Sequence, residues 1–136
     1  NRLNLDVEKQ VQLRSNEMLS KGLAYEDIAL KHLEKHNLTL VKRNFHSRFG
    51  EIDLIMKDGD TLTFIEVRYR KNASHGSSSE SVNSAKQKKI IKTAEIFLMQ
   101  NNGWHLNSRF DVIAISPATL LPFKHQIDWY KAAFTC

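Results

Sequence analysis

The chain has 136 residues, of which 41% are hydrophobic and 26% charged, and this composition is typical of one globular domain. No apolar run reaches the roughly 18 residues that a membrane-spanning helix requires, and the first residues do not form a signal-peptide pattern. The one cysteine, Cys136, excludes an internal disulfide and a cysteine-rich metal site, so we expect a cytoplasmic protein.

The formal net charge is +5, and many basic residues cluster in two places. These are Arg68, Arg70 and Lys71 in the first place, and Lys86, Lys88, Lys89 and Lys92 in the second. Such clusters favour a polyanionic partner, and nucleic acid is the commonest one. On composition alone, a solvated lysine-rich helix face explains the charge equally well.

The N-terminal quarter predicts one helix that follows a lead-in. Residues 1–18 are polar and weakly periodic, so we expect a flexible or helical lead-in to a domain at residues 19–136. Ser20 to Lys35 form an amphipathic pattern. Its apolar positions include Leu19, Leu23, Leu30 and Leu33.

Three strands are predicted next, at residues 38–45, 51–56 and 61–69. Asp58-Gly59, between the last two, is a strong hairpin signal. A turn centred there pairs residues whose numbers sum to about 118. Asp53 would then oppose Ile65, and Glu66 would oppose Ile52.

A mobile loop is expected at residues 72–81, and a second helix after it. Ser84 and Gln87 match a capping box at the helix start, and Gly103 suits a left-handed stop after its end. Its inward positions are Ile90, Ile91, Ala94, Phe97 and Leu98.

The C-terminal part predicts one interior strand at residues 109–115, because that segment is strongly apolar. Residues 116–122 should be irregular, and residues 125–134 form either a short helix or an edge segment. We expect Trp104 and Trp129 to be packing residues. The element order predicts an α/β fold with a mixed sheet and helices packed on it.

Carboxylates stand inside the apolar runs, where an unpaired charge is costly. Strand alternation puts Glu51 and Asp53 on the same face of their strand. It likewise puts Glu66 and Arg68 on the same face of theirs. Helical phasing at about 100° per residue puts Glu26 at the centre of the first helix's apolar stripe.

An oxygen-rich cluster of this kind suits Mg²⁺ or Mn²⁺, and Glu26, Asp53 and Glu66 are the candidate metal ligands. The alternative is that the acids form ion pairs with Arg48, Arg68 or Arg109 and do no chemistry. Lys86 lies early on the inward side of the second helix, so its ammonium reaches either the acids or the solvent.

Several motifs together resemble the YraN family, a bacterial family related in fold to Holliday junction resolvases and RecB-type nuclease domains. The motifs are "GLAYEDIALKHL", "RNF", "GEIDLI", "FIEVRYR", "SVNSAKQKKI" and "RFDVIAI", within residues 20–134. Asp53, twelve intervening residues and Glu66-Val67-Arg68 also resemble the D…(D/E)-x-K signature of restriction-endonuclease-like nucleases.

The resemblance implies a three-layer α/β/α, restriction-endonuclease-like fold with Glu26, Asp53, Glu66 and Arg68 as catalytic residues and Glu51 in support. Arg68 departs from the lysine of the signature. Arginine keeps its proton, so Arg68 can bind a phosphate but cannot act as a general base.

Three functional hypotheses follow. The first is a nuclease that uses Mg²⁺ or Mn²⁺ on DNA, with branched or recombination intermediates as the substrates that the fold implies. The second is a nucleic-acid-binding module that keeps the fold without cleaving. The third is a protein-interaction scaffold. In the nucleic-acid hypotheses, the residues expected to contact nucleic acid are Arg70, Lys71, Lys86, Lys88 and Lys89.

Overall fold

The computed structural model describes residues 2–71, 82–118 and 124–135. Its elements are α1 (Arg2–Lys35), β1 (Thr39–Ser47), β2 (Gly50–Asp58), β3 (Thr61–Tyr69), α2 (Ser84–Gln100), β4 (Asn107–Pro117) and β5 (His125–Phe134). Within these ranges, no helix combines the length and the apolarity needed to cross a membrane. The expected loop at residues 72–81 lies outside the described residues.

The five strands form one mixed sheet whose spatial order follows the chain, from β1 to β5. Strand β2 is antiparallel to both β1 and β3, and β4 is antiparallel to β5. Strands β3 and β4 are parallel, which requires a crossover, and α2 lies within that connection.

Two apolar clusters lie on opposite faces of the sheet, one under each helix. The cluster under α2 includes Ile90, Ala94, Phe97, Phe64 and Phe110. The cluster under α1 includes Ala29, Leu33, Leu54, Ile65 and Ile113. The expected α/β class is therefore confirmed as a three-layer α/β/α arrangement.

Helix α1 includes the lead-in, so of the flexible and helical alternatives for residues 1–18 the structure shows the helical one over the residues that it describes. It begins at Arg2 rather than near Ser20. Leu23 was expected to face the sheet but is 50% exposed. The described sheet contacts of α1 begin at Tyr25, about a half-turn later. The side chain of Leu19 lies outside the described part of the chain.

The start of α2 is capped one residue earlier than predicted. Asn83, not Ser84, is the N-cap, and its side-chain oxygen accepts a hydrogen bond from the Lys86 backbone N–H at 2.9 Å. The Gln87 side chain donates to the Val82 carbonyl instead of completing a capping box. Asparagine is as good an N-cap as serine, so the sequence leaves the choice between adjacent positions open.

The end of α2 forms a Schellman-type turn in which Asn102, rather than Gly103, adopts the left-handed conformation, with φ of 52°. The Gly103 N–H donates to the Leu98 carbonyl at 2.8 Å. A Cβ at Gly103 would meet the Leu98 side chain at 3.0 Å, so a larger residue there would require that side chain to shift slightly.

The structure tests the predictions for two C-terminal segments, residues 116–122 and 125–134. Strand β4 continues through Ser116 to Pro117, which were expected to be irregular, while residues 119–123 lie outside the described part. Residues 125–134 form β5, which lies at the sheet edge, so the edge alternative is confirmed and the helix alternative is wrong.

A fully buried carboxylate joins β4 to β5. The Asp111 carboxylate accepts hydrogen bonds from Arg109 at 2.8 Å, from the Trp129 indole N–H at 3.0 Å and from the Ala132 backbone N–H at 2.9 Å. The ladder register shifts at this point, and Ala132 has a φ of 50°. The side chain of Asp111 thus takes the place of a ladder carbonyl at a bulge.

Replacing Asp111 with alanine should lower the free energy of unfolding by about 3 kcal/mol, because it leaves two N–H groups without their acceptor and removes one of the two carboxylates that pair with Arg109. Asp58 is the matched control, since it also binds Arg109, at 2.8 Å, but its side chain is 31% exposed. Urea denaturation of Asp111→Ala and Asp58→Ala tests this. Equal losses of stability in the two variants would contradict it.

Candidate active site

The β2–β3 hairpin brings two carboxylates to the end of its ladder. Strand β2 ends at Asp58 and β3 begins at Thr61, so Gly59 and Asp60 form the turn, with Gly59 at a φ of 59°. Leu54 pairs with Ile65, one residue away from the predicted register, and this is the last pair of the ladder. Asp53 and Glu66 are the next residues on the two strands. The predicted pairings of Asp53 with Ile65 and of Glu66 with Ile52 are wrong.

Asp53 lies where the β2–β3 ladder ends. Its Oδ2 accepts a hydrogen bond from the Val67 backbone N–H at 2.8 Å, so the carboxylate takes over a bond that a strand carbonyl would otherwise make. Burial, and then the neighbouring Glu66 carboxylate, raise the pKa of Asp53 from its ordinary 3.8 to about 8. The charges of Glu26 and Glu51 act in the same direction, and the hydrogen bond from Val67 opposes them.

Glu66 is held by a lysine from the opposite wall. It is 7% exposed, and Lys86 Nζ lies 2.5 Å from its Oε1. The N-cap hydrogen bond from the Lys86 amide to Asn83 fixes the first turn of α2 and so directs this side chain. Of the two alternatives for Lys86, the structure therefore places its ammonium on the acids, although half of the side chain remains exposed.

Glu26 approaches from α1, as its helical phase predicts. Its side chain is 13% exposed, and Arg43 Nη2 lies 3.6 Å from its Oε2. That oxygen is buried and has no hydrogen-bond partner among the described residues. The charge of Glu26 raises the pKa of Asp53, so the two carboxylates interact across the interface between helix and sheet.

Asp53, Glu66 and Lys86 border a cleft of about 430 Å³ between the start of β2, the end of β3 and α2, and Glu26 is not among the residues that line it. Its lining includes Gly50, Glu51, Asp53, Glu66, Asn83, Lys86 and Lys89. The floor is acidic and the α2 wall is basic. In the described ranges, no three histidine, cysteine, aspartate or glutamate side chains are arranged closely enough to hold a metal ion as they stand.

The predicted supporting residue, Glu51, lies on the open side of the cleft. Its side chain is 55% exposed, and His46 Nδ1 lies 3.4 Å from its Oε2. Glu51 therefore lies at the rim of the cleft, and its supporting role stays a prediction.

The residues of the first basic cluster differ in their exposure. Arg68 is half-buried and Lys71 is exposed. Arg70, which was expected to contact nucleic acid, is only 7% exposed and pairs with Asp128 of β5. Its guanidinium therefore joins β3 to the edge strand and is not presented to a ligand.

The second basic cluster is presented to solvent along α2, where Lys88, Lys89 and Lys92 are exposed. Sequence reasoning did not include Asn83 or Gly50 among the site residues. The signal that could have found Asn83 is its N-cap position three residues before Lys86. Gly50 precedes the first acid of the hairpin and has a φ of 152°, which favours glycine.

Comparison with known proteins identifies the family. Residues 25–115 match the model of the family described as "Uncharacterised protein family UPF0102", which is the YraN family. A UPF0102 protein of Vibrio cholerae is 44% identical over 117 residues, covering 85% of this chain and 92% of the relative. A UPF0102 protein of Ectopseudomonas mendocina is 44% identical over 114 residues, covering 83% of this chain and 92% of the relative. A UPF0102 protein of Chromohalobacter salexigens is 44% identical over 120 residues, covering 88% of this chain and 94% of the relative.

The chain therefore belongs to the UPF0102 family, as its motifs predict. The matched region begins at Tyr25 and ends at Ile115, so it contains the helix acid, both hairpin acids and the α2 lysines. The family description states no biochemical activity.

The raised pKa of Asp53 predicts a pH-dependent stability. In the unfolded chain Asp53 ionises near its ordinary 3.8, and in the folded protein at about 8. The protonated form therefore contributes stability that is fully present below pH 3.8 and is lost as the pH rises to about 8. The Asp53→Asn variant is neutral throughout and keeps an acceptor for the Val67 N–H.

Without divalent metal, the free energy of unfolding of Asp53→Asn relative to wild type should therefore rise between pH 5 and pH 8. Urea denaturation in a chelator-containing buffer measures it. The matched control is Glu51→Gln, on the exposed rim, for which we expect a much smaller change. Parallel pH profiles for wild type and Asp53→Asn would contradict the assignment.

Proposed function

We propose that this protein is a metal-dependent nuclease that hydrolyses DNA phosphodiesters. The observation that carries the proposal is that Asp53 and Glu66 lie within electrostatic reach of each other in one cleft whose α2 wall is lined by Lys86 and Lys89. Acids on the floor suit a cation, and lysines on the wall suit the phosphates of a polyanion. Branched or recombination intermediates are the substrate class that the resemblance to resolvases suggests.

The donor set fits Mg²⁺ or Mn²⁺. Mg²⁺ is commonly held by one or two carboxylates and keeps several waters, so Asp53 and Glu66 would suffice as direct ligands. A cation would also offset the burial and the repulsion that raise the pKa of Asp53. Glu26, with a buried Oε2 that lacks a hydrogen bond, is the third carboxylate of the proposed site.

A bound cation would polarise the phosphodiester and activate a water for hydrolysis. The protein's own residues bind and orient the substrate. Arg68 keeps its proton and is suited to stabilise negative charge on a phosphate. Lys86 supplies an ammonium beside Glu66 from α2, where the nuclease signature would supply one from the strand position that Arg68 occupies. Lys89 extends the basic wall.

A second candidate is a nucleic-acid-binding module that does not cleave. The contact between Lys86 Nζ and Glu66 at 2.5 Å favours it, because that ion pair compensates a buried carboxylate without any metal. In that case the acids stabilise the fold and α2 presents the remaining lysines to phosphates. Binding of this kind should weaken steeply as the salt concentration rises.

A cleavage screen separates the two candidates. Single-stranded, duplex, flapped and four-way DNA are incubated with the protein and Mn²⁺ or EDTA. We expect Mn²⁺-dependent cleavage that falls at least about 100-fold in Asp53→Asn and in Glu66→Gln, because each removes a direct metal ligand. Arg68→Lys is the conservative control and should retain cleavage, since it keeps a cation at that position.

The other outcomes of the cleavage screen contradict one or both candidate functions. Cleavage that persists in EDTA, or that is equal in wild type and both acid variants, would contradict the nuclease proposal. Salt-sensitive DNA binding with no cleavage of any substrate would favour the binding module. Absence of any salt-sensitive binding would remove both candidates.

A further inference from the structure

A second cavity, of about 290 Å³, lies beside the cleft on the outer side of α2. Its lining comprises Phe49, Lys92, Glu95, Ile96, Met99 and Trp104. Trp104 is 62% exposed and Met99 is 60% exposed. The expectation that Trp104 is a packing residue is therefore wrong, because most of its indole surface is accessible to a ligand.

The wall that contains Phe49 is fixed to α2. Ser47 Oγ lies 2.8 Å from the hydroxyl of Thr93, which is fully buried on the helix. The Phe49 backbone N–H donates to the same serine oxygen at 3.1 Å. The β1–β2 turn that carries Phe49 is thus tied to the helix.

Two cations flank this aromatic wall. The Arg48 guanidinium carbon lies 4.8 Å from the centre of the Phe49 ring, and Lys92 Nζ lies 5.0 Å from it. Exposed aromatic rings interleaved with cations are the combination that binds single-stranded nucleic acid, since bases stack on the rings and phosphates meet the cations. The one carboxylate of the lining, Glu95, can accept hydrogen bonds from the amino group of a base.

The residues that line the second cavity are neighbours of those that line the acidic cleft. Gly50 lines the cleft, and its chain neighbour Phe49 lines the cavity. Lys89 of the cleft and Lys92 of the cavity are three residues apart on α2, which corresponds to a rise of about 4.5 Å. A nucleic-acid strand that follows these residues would pass from the cleft to the cavity.

We propose that this cavity, the Phe49–Trp104 pocket, holds an unpaired base next to the phosphate that occupies the cleft. The bases of an intact duplex are stacked on one another and cannot enter such a pocket, so the preferred ligand is DNA with a single-stranded segment, such as a flap or a gap. The inference rests on the proposed function only in taking the cleft as the phosphate site. It adds the substrate feature that the protein recognises.

DNA binding measured in EDTA tests the pocket independently of cleavage. Fluorescence anisotropy compares a labelled single-stranded oligonucleotide with the duplex of the same sequence. We expect Trp104→Ala to weaken single-strand binding by at least about fivefold, since one base–aromatic stack is worth that much or more. Duplex binding should change by less than about twofold, and Trp104→Phe should retain most of the single-strand affinity.

The matched control is Tyr69→Ala. Tyr69 is also an exposed aromatic residue, at 46%, but it stacks on Tyr25 and lies outside both cavities. It should leave the ratio of single-strand to duplex affinity unchanged. An unchanged ratio in Trp104→Ala, or an equal loss in Tyr69→Ala, would overturn the proposal.

Two further readouts separate this proposal from others. If Trp104→Ala changes the sedimentation behaviour of the protein but not its DNA affinity, the surface binds a second copy and the proposal is overturned. If the preference for single-stranded over duplex DNA depends on Trp104 and no DNA is cleaved with Mn²⁺, the pocket is supported and the nuclease activity is not. If DNA is cleaved but the preference for single-stranded DNA does not depend on Trp104, the nuclease is supported and the pocket is overturned.

Discussion

The burial of Asp53 beside the Glu66 carboxylate, at the end of the β2–β3 ladder, is the constraint on which the rest of the site depends. Burial and the charge of Glu66 together raise the pKa of Asp53. Two groups offset the free-energy cost of burying these acids. The Val67 backbone N–H donates to Asp53, and the Lys86 ammonium pairs with Glu66. Helix α2 is therefore part of the site and not only a cover for the sheet, since its capped first turn carries that ammonium.

The layered fold could be predicted from the sequence because its elements follow apolar periodicity. The β2 and β3 runs, the α2 face and the apolar β4 all lie where these patterns place them. The differences arise where local signals are ambiguous. Asn83 competes with Ser84 as the cap, and residues 125–134 alternate too weakly to separate a strand from a helix. The length of α1 could not be predicted, because residues 2–18 have little apolar periodicity.

The sequence predicts which residues form the candidate site better than it predicts how they are arranged. Strand alternation and helical phase direct Asp53, Glu66 and Glu26 towards one region, and the structure brings them within electrostatic reach of one another. A shift of one residue in the hairpin turn changes which residues lie across from the two strand acids, and composition does not fix that shift. The burial of Arg70 and the exposure of Trp104 depend on contacts with distant segments, which periodicity cannot reveal.

Calorimetric titration of Mn²⁺ at pH 7 tests most directly the claim that these acids form a cation site. Asp53 is protonated at that pH without metal, because its pKa is about 8. Binding should therefore release about one proton per ion in wild type, measured from the heats in two buffers of different ionisation enthalpy. Asp53→Asn should abolish that release and most of the affinity. Absence of Mn²⁺ binding, or equal binding and proton release in both proteins, would contradict the account.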